Sequence, residues 1–406
     1  MILFNFKRFF KTAVFSVLKR HEFPAPFDAK RVLFLVAFFL GYPVVQVFNR
    51  LCFLLDDIFF PQWKNVELKP PVFIVGNPRS GTTFIHRVMA RDDEQFFCFK
   101  AWEIIFPAVV QKKALAALGR VDRALGSPVG RMVLAVESRM FRDFNKMHHL
   151  SLFAPEEDDK LTLHIFSSLD LLWFFPTREL TEDYAFFDQK VPAKDRRRIM
   201  LFYRDCIKRQ AFYKGTRGHL LSKNPVCPPK ILSLRHFFPG CRFIYPVRNP
   251  LEVVPSMVSM AHAMWAATVR IAPGFPMQEQ VYETLKHYYL YPLRCFETFP
   301  KGSYVLVKYD DLMRHPKKEI LRIYKTLGFA VSERFEQILD EEEEKARRYK
   351  SEHVYSLAAL RISRDRILSD LQEIFQRFGF ATETNQDIED AKMLHSKGSA
   401  DEGVRP

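Results

Sequence analysis

The chain has 406 residues, enough to bury one large α/β core or two modest ones. Apolar residues make up 48% and aromatic ones 15%, with 41 Phe, which excludes an intrinsically disordered chain. The 61 Lys and Arg against 47 Asp and Glu give a net charge of +14 and point to anionic partners: nucleotides, a membrane surface or nucleic acid.

The first predicted element is an amphipathic helix in "MILFNFKRFFKTAVFSVLKR". Leu3, Phe6, Phe10, Ala13, Val14 and Val17 recur at helical spacing, with Lys7, Arg8, Lys11, Thr12, Lys19 and Arg20 mostly opposite. An apolar stripe facing a basic one suits a helix lying in a membrane interface, and equally a helix packed on its own domain. Val32 to Phe48 then gives 17 residues without a charge, interrupted by Gly41 and Pro43. This run is read as membrane-embedded or re-entrant; the pattern leaves spanning and surface-lying arrangements open.

From about Pro70 the pattern becomes α/β. Short β-rich runs at Val72–Val75, His219–Ser222, Cys241–Val247 and Tyr304–Lys308 alternate with long helical stretches. Strands separated by helices predict a parallel sheet covered on both faces. Between Ala101 and Gln210 the pattern is mostly helical, so a large helical insertion is expected. The division expected is a membrane-associated segment over 1–68, a catalytic domain over 69–380 and a disordered tail over 381–406. The six cysteines form no C-x-x-C pair and have no His at metal-ligand spacing; they read as reduced and mostly buried, with no metal site.

The stretch "VFIVGNPRSGTTFIHRVMA" runs an apolar strand into Gly76, places Gly81 five residues on and continues as a helix. Backbone amides from Ser80 to Thr83 can converge there on an anion, with hydroxyls from Thr82 and Thr83. A nucleotide triphosphatase carries Lys after that second Gly; here it is Thr82, and Arg79 lies two residues before Gly81. A second constellation is "CRFIYPVRNPLEVVPSMVSM". Arg248 projects from a strand end, Asn249 and Glu252 form a candidate capping box, and Ser256 follows Arg248 by eight residues on the helix.

Together these motifs resemble the sulfotransferases that use 3′-phosphoadenosine 5′-phosphosulfate (PAPS). "NPRSGTT" at Asn77–Thr83 is similar to the family's loop for the 5′-phosphosulfate, and Arg248 with Ser256 to its grip on the 3′-phosphate. "LLSKNP" at Leu220–Pro225 resembles the strand-end lysine of the tyrosylprotein and bacterial branch, which implies that Lys223 faces the transferred sulfuryl group. The resemblance covers about Pro70 to Phe380, including "VKYDDLMRHPKKEILRIYKTLGF", and lacks the R-K-G segment of the cytosolic branch. It implies a P-loop-type three-layer α/β/α fold, PAPS as co-substrate without a metal, and a small-molecule, glycan or lipid acceptor with a hydroxyl or amine. Arg79, Ser80, Gly81, Thr82, Thr83, Arg248 and Ser256 are then the donor-binding residues, and Arg79 and Lys223 stabilise the leaving group.

The acceptor must also lose a proton. Glu103 follows Arg79 by twenty-four residues, comparable to the glutamate base of that branch, and lies between Trp102 and Phe106. Glu103 is the first candidate. Glu157 in "APEEDDK" is the second, although those acids also suit a helix N-terminus, and His148–His149 lie nearby. An inactive membrane-bound nucleotide-binding scaffold and a P-loop kinase or triphosphatase are the competing classes. The expected location is a membrane, through residues 1–60, with the catalytic domain on the side supplied with PAPS: the cytoplasm in a bacterium, the Golgi lumen in a eukaryote. No recognition motif supports nucleic-acid binding.

Overall fold

The structure is a computed structural model that describes residues 3–18, 27–140, 151–175, 177–268, 277–348 and 360–382. His148–His149, and the tail from 383 onward, lie outside the described residues.

Five strands, β1 (Lys69–Ile74), β2 (Phe96–Phe97), β3 (His219–Lys223), β4 (Arg242–Val247) and β5 (Tyr304–Lys308), form one sheet in the order β2-β3-β1-β4-β5. Every pairing is parallel. Four strands match the apolar runs expected from sequence; β2 is only two residues long, too short to leave a periodic signal. Successive residues of β1 feed opposite layers, because side chains alternate across a strand. Val72 and Ile74 pack with Ile85, Val88 and Ile320 on one face, while Phe73 and Val75 join Phe243 and Tyr245 in the larger core on the other. The result is the three-layer arrangement, with the helices of the insertion on the larger side.

β1 is central, paired with β3 on one side and β4 on the other. The chain reverses its direction of travel across the sheet here, so the loops leaving β1, β3 and β4 open a crevice at their carboxyl ends. Register aligns Ile74 with Lys223 and Ile244, which brings the three motif-bearing loops to one edge.

The N-terminal region contributes two helices, Phe6–Leu18 and Ala29–Phe59. The second is 31 residues long and is, among the described residues, the one helix long and apolar enough to cross a membrane. It is also fastened to the catalytic domain along its whole length. Arg31 donates to Phe174 O at 3.0 Å, Tyr42 donates to Leu163 O, and the Asp56 carboxylate accepts from Val109 N and Val110 N at 2.8 Å each. Asp56 also pairs with Arg209 at 3.0 Å. The sequence pattern separated this segment from the domain; the structure makes it part of the domain's packing.

Candidate active site

β1 ends in a loop whose path needs its glycines at two places. A Cβ on Gly76 would lie 2.7 Å from Pro246 O, so only Gly lets the loop pass that close to β4. Gly81 has φ 86° and caps the helix Thr82–Met89. Arg79 is also left-handed, at φ 68°, which costs an L-residue roughly 1–2 kcal/mol. Tertiary contacts hold it there: Arg79 Nε donates to Ser256 Oγ at 3.1 Å, and Arg79 O accepts from Arg248 Nη1 at 3.2 Å. The two left-handed residues bracket Ser80, whose hydroxyl is buried without a hydrogen-bond partner. A buried unsatisfied hydroxyl costs about 1–3 kcal/mol, a cost that an accepting oxygen in this cradle would relieve.

Arg248 leaves the end of β4, and the helix Pro250–Thr268 carries Ser256, 1% exposed, back toward the loop. Asn249 Oδ1 accepts from Leu251 N at 3.0 Å, the capping contact expected. Glu252 turns to Arg248 instead, accepting from Nε at 2.8 Å. The Arg248 guanidinium lies 4.3 Å from the centre of the Tyr309 ring, and Tyr289 donates to Arg248 O at 2.7 Å. Tyr309, directly after β5, also stands 3.1 Å from where a Gly81 Cβ would be. Sequence reasoning missed it; its signal was the family-like "VKYDDL" run, read only as a strand and helix. The structure thus gathers Arg79, Ser80, Gly81, Thr82, Thr83, Arg248 and Ser256 at one end of the crevice.

Lys223 ends β3, is 3% exposed and pairs with Glu157 at 2.6 Å. Glu157 also faces Lys160 at 3.4 Å. Burial works to lower the Lys160 pKa, but Glu157 and Glu156 outweigh it and raise it, so Lys160 is a fixed cation. The acidic cluster divides by role. Asp158 is buried and accepts from Tyr203, Ser222 and Asn224, and burial raises its pKa to about 6. Asp159 pairs with the buried Lys230 at 2.5 Å. Glu157 alone of these three lines the cavity.

Glu103 stands elsewhere. It is fully buried on the short helix Ala101–Ile105, where Oε2 accepts from Lys100 N at 2.7 Å and from Gln210 Nε2 at 2.8 Å. Oε1 pairs with Lys214 at 2.6 Å. It does not line the cavity.

The cavity measures about 840 Å³. One end is polar, with the glycine loop, Arg248, Glu157 and Lys160. The other is apolar, lined by Leu172, Trp173, Met257, Met264, Trp265 and Leu285. Trp265 Nε1 donates to Leu172 O at 2.8 Å, and the Trp173 and Trp265 rings lie 6.0 Å apart, so this end is braced. Among the described residues no group of three His, Cys, Asp or Glu is arranged to hold a metal.

A family model described as the sulfotransferase family matches residues 70–333. The chain belongs to that family. The matched region takes in the sheet from Pro70 of β1 through β5, and membership implies a sulfate donor. Two relatives, both omega-hydroxy-beta-dihydromenaquinone-9 sulfotransferases Stf3, from Mycobacterium bovis and Mycobacterium tuberculosis, are 25% identical over 269 residues. That alignment takes in 65% of this chain and spans 64% of the length of those relatives. The crystal structure of sulfotransferase STF1 from Mycobacterium tuberculosis H37Rv superposes with a TM-score of 0.68 at 16% identity, covering 90% of this chain and 92% of that one. STF9 from Mycobacterium avium gives 0.68 at 16% identity, covering 93% and 97%. These two show that the sulfotransferase fold extends over most of the chain.

Proposed function

We propose that this protein is a sulfotransferase that moves a sulfuryl group from PAPS to the hydroxyl of an apolar, lipid-like acceptor at a membrane. The carrying observation is the convergence of Arg79, the buried unpartnered Ser80 hydroxyl, Arg248 and Ser256 on one anion-shaped cradle. PAPS supplies an activated sulfuryl group on a phosphate leaving group. The amides of Ser80–Thr83 and the Arg79 guanidinium hold the 5′ end, while Arg248 and Ser256 hold the 3′-phosphate. Tyr309 supports the Arg248 guanidinium from below.

Lys223 is the group that stabilises charge building on the leaving oxygen. Glu157 is the base, because it lines the cavity beside Lys223, whereas Glu103 is enclosed by Lys100, Gln210 and Lys214. The 2.6 Å Glu157–Lys223 pair sets proton acceptor and electrophilic donor side by side. Lys160, held charged by the same carboxylate, fixes its orientation.

The apolar end of the cavity supports an acceptor with a hydrocarbon body, each buried methylene contributing about 0.8 kcal/mol. The lipid-like substrate in the name of the Stf3 relatives supports the same class. Residues 1–60 place the protein at the membrane where such acceptors reside, with the catalytic domain on the side supplied with PAPS. Calorimetry tests the donor site: adenosine 3′,5′-bisphosphate binds and ATP with Mg²⁺ does not. Preference for the triphosphate would overturn the reading.

A further inference from the structure

The two N-terminal helices are packed inside out. On Phe6–Leu18 the buried residues are Arg8, Thr12, Phe15 and Ser16, while Phe6, Phe10, Val14 and Leu18 are exposed. Arg8 is not a surface cation: its guanidinium donates to Leu180 O at 2.6 Å and lies 3.6 Å from the centre of the Tyr184 ring. Ala29–Phe59 repeats the inversion. It buries Arg31, Asn49 and Asp56 against the domain beside Leu35, Cys52 and Phe53, and exposes Leu33, Leu40, Val44, Phe48, Leu51 and Ile58. A water-soluble surface helix has the opposite arrangement.

The exposed apolar surface does not stop at residue 60. Val109–Ala124 packs on Ala29–Phe59 and Pro128–Met140 packs on Val109–Ala124, so the four helices are neighbours in series. The second pair exposes Leu118, Val121, Leu125, Val129, Met132 and Val136. The charge pattern matches. The fully exposed charged residues on the described parts of these four helices are basic, from Lys7 and Lys30 through Arg50 to Arg120 and Arg131. Their acids are turned inward or engaged: Asp56 caps Val109 and Val110, the partly exposed Asp57 pairs with Lys64 and Arg209, Asp122 caps Val129 and Gly130, and Glu137 is buried.

We propose that these four helices form one monotopic membrane-binding face, which sinks its apolar side into a single leaflet of an anionic bilayer while the basic residues meet lipid headgroups. Ala29–Phe59 does not span. Its beginning, middle and end bind Phe174, Leu163 and Val109–Val110 of the same domain, and a helix fastened at all three levels cannot carry its ends to opposite sides of a bilayer. An exposed apolar patch of this extent is costly in water, and its basic rim selects a lipid surface over another apolar protein face. The segment that carries Phe174 and Phe175 beneath Ala29–Phe59 also carries Leu172 and Trp173 on the cavity wall. The membrane face is therefore one segment away from the apolar end of the cavity.

Flotation of the full chain with sealed vesicles tests this without any donor or acceptor. Vesicles of phosphatidylcholine with phosphatidylglycerol are expected to carry the protein, and pure phosphatidylcholine at least tenfold less. Val121→Asp with Leu125→Asp and Met132→Asp changes only exposed side chains of the second pair, so circular dichroism is expected to be unchanged while binding falls at least tenfold. Protease added outside is expected to remove an N-terminal epitope tag and a C-terminal one alike. Unchanged binding of the triple variant would overturn the four-helix face, and protection of either tag would overturn the monotopic arrangement. A native protein that stays off anionic vesicles, yet loses self-association in the triple variant, would make the face a contact between copies.

Discussion

Replacing Glu157 and Glu103 separately by Gln distinguishes the base from the structural acid, because the two carboxylates have opposite surroundings. Glu157 has one oxygen 2.6 Å from Lys223 Nζ and lines the cavity. Gln at 157 still offers a carbonyl oxygen to Lys223, so the fold loses little, but it cannot accept a proton at neutral pH. Turnover should fall by roughly 10²–10⁴, equivalent to about 3–5 kcal/mol on the barrier. Gln at 103 meets a different problem. Oε2 accepts from Lys100 N and Gln210 Nε2, so the new amide nitrogen must take the place of Oε1 and point its donors at the Lys214 ammonium. A donor facing a donor in a fully buried site should cost about 1–3 kcal/mol of stability and leave turnover of the folded enzyme within a few-fold. The assay pairs single-turnover rates with thermal unfolding of both variants. Full stability with abolished chemistry in Glu103→Gln, and normal chemistry in Glu157→Gln, would refute the assignment.

Arg248→Ala should weaken binding of adenosine 3′,5′-bisphosphate by about a hundredfold, the value of a charge-assisted pair of roughly 2–3 kcal/mol, and weaken adenosine 5′-phosphosulfate much less; calorimetry with both ligands checks it. Gly76→Ala should destabilise by about 1–3 kcal/mol and impair donor binding, because its Cβ would meet Pro246 O at 2.7 Å; denaturant titration and calorimetry measure both. Burial, followed by the Lys223 charge, lowers the His86 pKa to about 3, so its protonation opposes folding as pH falls below its unfolded value of 6.5. His86→Leu should therefore lose about 2.5 kcal/mol less stability than the native protein between pH 7 and pH 4.5, read by chemical denaturation at each pH. Deleting residues 1–60 should leave Arg209 and the Val109 and Val110 amides without Asp56 and yield an unstable domain, seen as lost cooperative melting.

The sequence was most legible where function depends on local spacing. Gly76 to Thr83 needs only a strand, two flexible points and a helix start, all contiguous, and Arg248 with Ser256 needs only two helical turns. Both appear in the structure as their spacing implies. The proposed base was harder to choose, for a physical reason. Glu103 sits three residues after Lys100, and the same local pattern that places an acid near the loop also lets it cap its own helix. The partner that distinguishes Glu157 is Lys223, sixty-six residues away, and only the fold brings them together. Trp102 and Phe106 suggested a desolvated site at Glu103, and desolvation there is complete, but it encloses the carboxylate between the Lys214 ion pair and two hydrogen bonds, away from the cavity. At the N-terminus, periodicity found the amphipathic helix but put Arg8 on its solvent side. Its burial against Tyr184 depends on a contact 176 residues distant, which no window of sequence reports.

Incubation of the vesicle-bound protein with radiolabelled PAPS and a native lipid extract measures the proposed sulfuryl transfer to a lipid-like hydroxyl in this cavity. Label is expected to move into the organic phase on one product, with stoichiometric release of adenosine 3′,5′-bisphosphate and loss of both in Glu157→Gln. Binding of adenosine 3′,5′-bisphosphate without any transfer to lipid, glycan or small-molecule fractions would contradict it and leave a nucleotide-binding scaffold in its place.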